Sequence, residues 1–544
     1  MKLKHFLSFV LGGIALSAAA QGGYQDGVDY YNADRFEQAK IILDNTINDP
    51  ATNKAVSYYY LGCIEVQNNN FAGASDNFNK GIEADAAYPM NYIGLGELAL
   101  RNGNKRGAED LFKDALKYGK KDARVATAIA RAYFNADPVA YDKEISKNVN
   151  DALKFSKNKE AATYVLMGDM AKANNIGQAA GYYEQAMVYD EEAGRINPEA
   201  YVKYANLYNK VNPDFAINKL IELNQKLPTS ALAQRELAEK YYDGGKFTPA
   251  AEQYGKYMAN PNHFQQDEQR YSGLLFYGKK YPESLEIANK VLAKDPDNVY
   301  MQRMVMLNKA ALEDYNGAYD AAQKLFAHKG ATFTTNDYGT YGDVLAALGR
   351  PDDAIVAYTS AFEINPEKNK DYLAKISSMY TDAQNYEKAA EFMQRFVDLG
   401  DASLNDYFIL SNRYRNLALS QEEGSEERKQ SAINGIKYVD LALENAANKG
   451  PLYRNRATLL MVRDGAAEIS PELVETYNAM LESYNEDPEA KTKYADAYKS
   501  AYNAIASYYL QQNDKAKAVE YYQLFLELDP ENQGLRDYIE KLSK

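Results

Sequence analysis

Apolar and polar positions along this chain follow the period of an amphipathic helix, and the helical pattern itself repeats. The segment YYYLGCIEVQNNNFAGASDNFNKG (58–81) aligns with YIGLGELALRNGNKRGAEDLFKDA (92–115) at a constant offset of 34 residues. In both segments an apolar stripe ends at a polar turn, and a second apolar stripe follows. This order predicts a helix, a tight turn and a second helix in every unit. No recurring alternation of apolar and polar residues indicates a sheet.

One position in the first helix of each unit is reserved for a small residue. Gly62 and Gly96 occupy matching positions, and the matching second helices carry Phe78 and Phe112. A small side chain lets two helices approach closely, while the large ring fills the adjacent space. Most units are 33–38 residues apart, and the fourteen equivalent positions are Gly27, Gly62, Gly96, Ala130, Gly168, Ala205, Ala238, Ser272, Met306, Gly342, Ser377, Ser411, Ala457 and Ala506.

The order of these residues resembles the tetratricopeptide repeat. The pattern of that family is an aromatic residue followed by Leu-Gly, then an alanine, a second aromatic residue and a proline. Tyr58, Leu61 and Gly62 match the first helix, and Ala74 and Phe78 match the second. The resemblance implies an all-α solenoid of helix–turn–helix repeats in a right-handed superhelix. Its first helices would line a concave groove that binds proteins or peptides.

The regularity of the repeats divides the chain into four parts. We predict a signal peptide over 1–20, a regular array over 21–400, less regular repeats with insertions over 401–533 and a C-terminal capping helix over 534–544. The units centred on Ala130, Met306 and Ala457 fit the pattern least well. Insertions lie at 134–151, 420–428 and 463–472. Such insertions form loops, and whether they also bind a partner stays open.

The first twenty residues have the character of an export signal. Lys2 and Lys4 precede the apolar run FLSFVLGGIAL (6–16), and SAAA (17–20) ends it with small residues before Gln21. The run is too short to span a bilayer comfortably, so we predict cleavage after residue 20. The chain is then exported, to the periplasm, the outer membrane or the outside of a Gram-negative bacterium. Its Tyr- and Asn-rich composition resembles envelope repeat proteins of Bacteroidetes-type bacteria.

Charge narrows the class of partner. The chain has 62 basic and 76 acidic residues, and removal of Lys2 and Lys4 leaves 60 against 76, a net charge of −16. A surface this acidic repels phosphate backbones, so we expect no nucleic-acid partner. The rest of the chain has no further long apolar run, which predicts no transmembrane segment after signal removal.

Three segments imitate ligand-binding motifs. GLLFYGKK (273–280) approaches a phosphate-binding loop, GLGELA (94–99) a dinucleotide fingerprint and DPENQGLRDYIE (529–540) a calcium loop. The first two lack the preceding strand that these motifs require, and the third lacks several of the expected acidic ligands. We interpret all three as helix and turn within the repeats.

The chain offers few residues for catalysis or metal binding. His263, His328 and the single Cys63 lie several repeats apart, and solenoid repeats contact mainly their neighbours. A zinc site or a Cys–His nucleophile pair needs such residues together. We therefore predict no catalytic residue, no metal and no cofactor.

The remaining candidate for function is the predicted groove. It is lined by the face of each first helix that lies beside the face used for packing. Along the second unit this face runs through Val56, Tyr59 and Cys63, spaced as one helical face. Arginine grips carboxylates, and tyrosine adds rigid contact area, so the face suits peptide recognition. The predicted groove residues are Tyr59, Cys63, Glu97, Arg101, Asp169, Lys172, Asn206, Lys210, Arg235, Glu239, Tyr242 and Arg303.

The sequence thus favours a non-enzymatic scaffold of the cell envelope that binds a protein or peptide through its groove. A glycan- or small-solute-binding protein is the alternative, and it requires an aromatic cluster in one pocket. Within YYYLGC (58–63), Tyr60 lies between the two faces and receives no role. Cys63 fits an incidental small groove residue, with a reactive or pairing thiol as the other possibility.

Overall fold

The computed structural model of the protein describes residues 23–209, 211–465, 469–484 and 489–543. Within these ranges the regular structure consists of 30 α-helices and includes no strand. The predicted all-α solenoid of helix–turn–helix repeats is confirmed. No described helix combines the length and apolar character that a membrane span needs. The predicted signal peptide and Lys210 lie outside the described residues.

The chain forms two compact units, Met1–Met304 and Val305–Lys544. The first unit holds eight helix pairs, and the division falls within α17 (Val299–Ala311). The helices of the first unit are α1 (Tyr24–Asn32), α2 (Phe36–Thr46), α3 (Lys54–Gln67), α4 (Phe71–Ala84), α5 (Met90–Arg101), α6 (Lys105–Tyr118), α7 (Ala123–Ala136), α8 (Asp142–Ser156), α9 (Ala161–Ala171), α10 (Ile176–Glu192), α11 (Pro198–Tyr208), α12 (Pro213–Lys226), α13 (Ala231–Asp243), α14 (Phe247–Met258), α15 (Asp267–Tyr277) and α16 (Tyr281–Leu292).

The second unit continues with the same helix pairs. Its helices are α18 (Tyr315–Phe326), α19 (Thr335–Ala347), α20 (Pro351–Ile364), α21 (Asp371–Asp382), α22 (Tyr386–Asp398), α23 (Leu404–Ser420), α24 (Glu426–Leu443), α25 (Gly450–Asp464), α26 (Pro471–Tyr484), the short α27 (Ala490–Lys493), α28 (Ala495–Gln511), α29 (Lys515–Leu528) and α30 (Gln533–Leu542). The predicted C-terminal helix is present as α30, whose apolar side packs near Tyr522.

All fourteen predicted small positions are buried, and each lies on the first helix of a pair. This includes the units centred on Ala130, Met306 and Ala457, so the poor fit of their sequences did not reflect a different structure. At Gly62 an added Cβ would lie under 3.0 Å from ring carbons of Phe78. The repeat frame therefore follows from close helix contact at this position.

Many of the turns inside the pairs contain one residue in the left-handed region. Asn69 has φ 58°, and Gly103 at the matching place has φ 75°. The next residue then caps the second helix, as when the Asn70 side chain accepts a hydrogen bond of 3.1 Å from the Gly73 N–H. Asparagine and glycine both adopt this conformation readily, and asparagine is also a favoured N-cap, which explains the recurring polar turns.

The motif-like segments have the helical context that the sequence predicted. GLGELA lies inside α5, and GLLFYGKK runs from α15 into the following turn. The insertion at 134–151 contains the end of α7, a short connection and most of α8. The insertion at 420–428 contains the connection between α23 and α24. Residues 466–468 of the third insertion lie outside the described residues.

Candidate functional site

The first helices of the first six repeats surround one cavity of about 1020 Å³. The helices α1, α3, α5, α7, α9 and α11 all contribute side chains to its wall. Most of the wall comes from first helices, because the small position turns one face of each toward its partner and leaves another face inward, and second helices add Phe36, Phe78 and Asp190. The predicted inward face of the first helices is therefore a shared wall in this unit.

The cavity wall closes because α1 lies against helices far away in sequence, α11 and α13. Arg35 donates two hydrogen bonds of 2.6 Å each to Glu236, which is fully buried. The rings of Tyr30 and Phe264 pack edge to face with centroids 5.4 Å apart. Burial would lower the pKa of Arg35, but the Glu236 carboxylate outweighs it and raises the pKa. The contact therefore joins Arg35 to Glu236 across about 200 residues of chain.

Tyrosine rings form one side of the cavity. Tyr31 and Tyr60 pack with centroids 5.0 Å apart, and Tyr59 lies 5.1 Å from Tyr60 and 6.3 Å from Tyr88. All four line the cavity. Burial raises the pKa of each phenol above its usual value, so the rings stay neutral. They offer flat apolar faces together with hydroxyl groups, which suits stacking and hydrogen bonding alike.

Cys63 lies beside these rings on the wall. Burial and the nearby Glu97 carboxylate raise the pKa of its thiol to about 12, although hydrogen bonds with Tyr59 and Tyr31 oppose the shift. The nucleophilic form of cysteine is the thiolate, which is scarce at such a pKa. The environment of Cys63 therefore suits a small wall residue better than a reactive thiol.

Asp169 is the centre of a charged group on the cavity wall. It accepts a hydrogen bond of 2.7 Å from Arg131 and one of 2.9 Å from Tyr183, and the Lys203 nitrogen lies 3.4 Å away. Burial alone would raise the pKa of Asp169, but Arg131 and Lys203 lower it overall. Asp169 is thus an ionised acceptor that connects three helices: α7, α10 and α11.

The other cations on the wall also have carboxylate partners. Arg124 pairs with Asp122 at 3.1 Å, and Arg195 pairs with Asp190 at 3.0 Å. Lys172 lies 3.8 Å from Asp169. Each cationic side chain on the wall therefore has a carboxylate within 4.0 Å, and Arg131, Lys172 and Lys203 share Asp169.

Three carboxyl groups on the wall lack such a match. Among the described residues, no lysine or arginine nitrogen lies within 4.0 Å of Asp29, Glu160 or Glu199. Burial raises the pKa of Asp29 to about 7, and the negative charges of Asp26 and Glu199 add to the shift. Burial also raises the pKa of Glu160 and of Glu199, despite more distant positive charges. These carboxyls therefore hold protons more strongly than exposed ones do.

Five of the sequence-predicted groove residues line the cavity: Tyr59, Cys63, Glu97, Asp169 and Lys172. Arg101 is exposed and donates a hydrogen bond of 2.8 Å to Glu97 from the next turn of α5. Asn206 is exposed and accepts a hydrogen bond of 3.1 Å from Lys240.

Four other predicted residues lie away from the cavity wall. Arg235 is buried and bonds both oxygens of Asp267, at 2.7 and 3.2 Å. Glu239 accepts hydrogen bonds from Arg270 and Tyr254, and the Arg270 guanidinium lies 5.2 Å from the centre of the Tyr242 ring.

Arg303 is also buried, on α17. The predicted placement of Arg235 and Arg303 on an open groove is therefore wrong. For Arg235 the reason is the contact of α1 with α13, which covers that part of the face.

Several wall residues were not indicated by the sequence pattern, above all Tyr31, Tyr60, Arg131 and Glu199. Arg131 follows the small residue Ala130, as Cys63, Glu97 and Asp169 follow theirs. The register alone could have identified it, but the weak fit of that unit hid the signal. Glu199 lies one and a half turns before the small position and becomes part of the wall only where α1 and α11 meet.

The described residues contain no group of three or more histidine, cysteine or acidic side chains placed to hold a metal ion. The cavity instead presents rings, hydroxyls and charges held by neighbouring helices. Such a wall can bind and orient a ligand through side chains fixed before it arrives.

Comparison with known protein families identifies two of the repeats. Residues 338–368 and 499–532 match the family model of the tetratricopeptide repeat, which confirms the resemblance in those segments. No curated protein sequence matches the chain.

Two solved structures are similar to parts of the chain. The C-terminal part of a TPR repeat-containing protein from Cytophaga hutchinsonii is 22% identical, covers 49% of this chain and 98% of its own, and gives a TM-score of 0.38. A tetratricopeptide repeat protein from Parabacteroides merdae is 13% identical, covers 48% and 98%, and gives a TM-score of 0.33. Both scores are below 0.5, so neither likeness establishes how the repeats of this chain are arranged.

Proposed function

The chain contains tetratricopeptide repeats, and on this premise we propose that it is a non-enzymatic scaffold whose cavity holds a segment of a partner protein. The observation that carries the proposal is the cavity of about 1020 Å³ between six first helices. Its volume is at the upper end of the range of roughly 300–1,000 Å³ that small-ligand sites occupy, which leaves room for a short peptide. A wall of rings and charges on packed helices lowers the entropic cost of binding, because the receptor is already ordered.

The aromatic side of the cavity supplies the contacts that we expect to dominate affinity. Tyrosine is enriched among residues that contribute most to protein interfaces, because its ring is large, rigid and polar at one end. Tyr31 and Tyr60 lie together on the wall from two different repeats, so one bound segment could contact both.

Substitution of these two rings tests the proposal. A library of random heptapeptides is screened against the protein, and labelled peptides that bind are titrated by fluorescence polarisation. We expect Tyr31→Ala with Tyr60→Ala to weaken binding at least about tenfold. Tyr538→Ala, at an exposed ring on α30, is the control and should leave the affinity unchanged. If the double variant binds peptides as tightly as Tyr538→Ala does, the two rings do not contribute and the peptides bind outside this cavity.

We also propose that the protein acts in the envelope of a Gram-negative bacterium, exported by the signal over residues 1–20. Support comes from the basic and apolar order of that segment. Expression of the full chain, followed by cell fractionation and N-terminal sequencing, tests this proposal. We expect a mature protein that begins at Gln21 in the envelope or secreted fraction, and an intact N-terminus in the cytoplasm would refute export.

A second candidate function is the binding of a glycan or another small solute. The cluster of Tyr31, Tyr59, Tyr60 and Tyr88 in one cavity favours it, since flat rings stack on sugar faces. A thermal-shift screen with a panel of oligosaccharides and the selected peptides separates the two candidates. A rise in melting temperature with an oligosaccharide, absent in the Tyr31→Ala and Tyr60→Ala variant, would support the second.

A further inference from the structure

We infer that the cavity selects its ligand by positive charge: it accepts a peptide segment whose lysine or arginine side chain enters between Asp29 and Glu199, beside the tyrosine rings. This inference rests on the proposed function, because it assumes that the cavity binds a peptide. It names the chemistry of the partner, which the presence of the repeats alone leaves open.

The balance of charge on the wall is the first observation behind this inference. The wall holds five cationic side chains, Arg124, Arg131, Lys172, Arg195 and Lys203, and each lies within 4.0 Å of a carboxylate. It holds eight acidic side chains, Asp29, Asp34, Glu97, Asp122, Glu160, Asp169, Asp190 and Glu199. The acids outnumber the cations by three, and burial raises the pKa of Asp29, Glu160 and Glu199, which an entering cation would lower again. A cationic ligand therefore meets unbalanced charge, whereas an anionic one does not.

The position of the unmatched acids is the second observation. Asp29 lies on α1 and Glu199 lies on α11, and these two helices are in contact where the wall closes. Asp29, Glu199 and Tyr60 all line the cavity at this closure. A cationic group entering here would be close to two carboxyls from opposite sides of the closure.

The neighbouring rings favour a cation as well. Tyr60 packs against both Tyr31 and Tyr59, so several ring faces and edges lie together beside the acids. An ammonium or guanidinium group is attracted to a tyrosine face, and the attraction increases when water is displaced. Carboxyls and rings together therefore suit a lysine or arginine, whose long aliphatic stem also covers apolar surface.

An acidic ligand would have to compete with partners that the wall already holds. To reach Arg131, a peptide carboxylate would need to displace Asp169, which is 94% buried and also bonded to Tyr183. Displacement would break the 2.7 Å pair of the buried Asp169 with Arg131 and leave Asp169 with Lys203 at 3.4 Å and Lys172 at 3.8 Å, at a cost in free energy. The same exchange is unnecessary at Asp29 and Glu199, since no cation occupies them among the described residues.

The test combines a change in the ligand with a change in the wall. Peptides selected from the random heptapeptide library are compared with versions in which lysine is replaced by norleucine, which keeps the stem and removes the charge. Each peptide is titrated into the protein and into Asp29→Asn with Glu199→Gln. The control is Asp49→Asn with Glu83→Gln, which makes the same chemical changes at exposed residues of the first unit away from the cavity.

We expect enrichment of lysine or arginine among the selected peptides and at least about a tenfold loss of affinity when norleucine replaces lysine. We expect the Asp29 and Glu199 variant to lose a similar factor for the lysine peptide and little for the norleucine peptide, so the two changes are not additive. The Asp49 and Glu83 control should bind as the unchanged protein does. The amides have nearly the same shape as the carboxyls that they replace. Circular dichroism is used to check that each variant is folded.

The outcomes separate this inference from the proposed function. Peptides that lose affinity in Tyr31→Ala with Tyr60→Ala, but show no enrichment of basic residues and bind equally to the Asp29 and Glu199 variant, would overturn charge selection alone. If no selected peptide responds to the tyrosine substitutions, peptide binding in the cavity itself is refuted. The norleucine comparison needs no variant protein, so the inference stays testable even if one substitution disturbs folding.

Discussion

The two units of the chain use the same repeat in different ways. The small positions of both are buried, but the residue that follows them differs. In the first unit four of the eight such residues are charged, Glu97, Arg131, Asp169 and Glu239, and the other four are Val28, Cys63, Asn206 and Gly273. In the second unit one of the six such residues is charged, Asp343, and the other five are Leu307, Ser378, Asn412, Thr458 and Ser507. One helical position therefore fixes the packing, and the next is free to carry chemistry.

Polar contacts differ between the units in the same sense. In the second unit, Arg456 joins helices of the same and the neighbouring repeat, since it pairs with Asp440 at 2.7 Å and with Glu472 at 2.6 Å. In the first unit, Arg35 and Glu236 lie 201 residues apart in the chain. The long contact closes a cavity wall, whereas the short ones stabilise the stack of helices.

The largest difference should appear when the closing ion pair is broken. Among the described residues, Arg35→Ala leaves the buried Glu236 with Arg235 at 3.9 Å as its remaining cationic neighbour, and loss of one partner of a buried pair costs about 3 kcal/mol. Urea unfolding should report this loss, and hydrogen exchange in α1 should become faster.

Arg456→Ala is the matched change in the second unit. Its partners Asp440 and Glu472 are 46% and 39% exposed, so water replaces the lost pairs and the cost is about 1 kcal/mol. Equal losses in the two variants would show that the closure adds nothing beyond an ordinary surface pair.

A change at the shared small position should affect both units alike. At Gly62 and Gly342 an added Cβ falls under 3.0 Å from the rings of Phe78 and Tyr358. Leucine at either site should cost about 2 kcal/mol, because the ring must move. Thermal unfolding of Gly62→Leu and Gly342→Leu measures the effect.

Gly181→Leu on α10 is the control for helix propensity, because an added Cβ there meets nothing within 4 Å. Removing a helical glycine should raise stability by up to about 1 kcal/mol. An unchanged melting temperature in Gly62→Leu would mean that the repeat frame is misplaced in the first unit.

The free energy of unfolding should depend on pH with opposite sign at one carboxyl group of each unit. The pKa of Asp29 is raised from 3.8 to about 7, so between these values the folded state holds a proton that the unfolded state has released. Its contribution to stability is therefore full below pH 4 and falls as the pH rises toward 7, at up to about 1.4 kcal/mol per pH unit. Asp29→Asn should remove this slope from urea titrations.

Asp464 in the second unit should behave in the opposite way. Burial raises its pKa, but Arg463 and Ser470 outweigh this and lower it below 3.8. Its contribution is present above that value and is lost as the pH falls further. A slope between pH 4 and 7 that persists in Asp29→Asn would assign the titration to another carboxyl, such as Glu199 or Glu160.

The comparison also shows how far sequence reasoning reaches. Helix pairs, turns and all fourteen small positions follow from local spacing, because each helix packs mainly against its neighbours in the sequence. Tyr59 and Asp169 were placed on the inward face by the same spacing. The contact of α1 with α13 was beyond reach, since no local pattern records a pairing across 201 residues. Arg235 was misjudged for that reason, and Glu199 was overlooked for it.

The smallest expected effect on stability, and the most direct probe of the wall, is chemical modification of Cys63. With its pKa at about 12 instead of 9.0, the thiolate fraction at pH 8 falls about 1000-fold, and alkylation by iodoacetamide should slow by a similar factor. Cys63→Ser with Ser378→Cys moves the thiol to the equivalent, exposed position of the second unit, where it should react at an ordinary rate. A bound peptide should slow the alkylation of Cys63 further, and it should leave the alkylation rate in the Ser378→Cys variant unchanged. Equal rates at the two positions would mean that the face of the first helices is as open in the first unit as in the second, and that no enclosed wall distinguishes them.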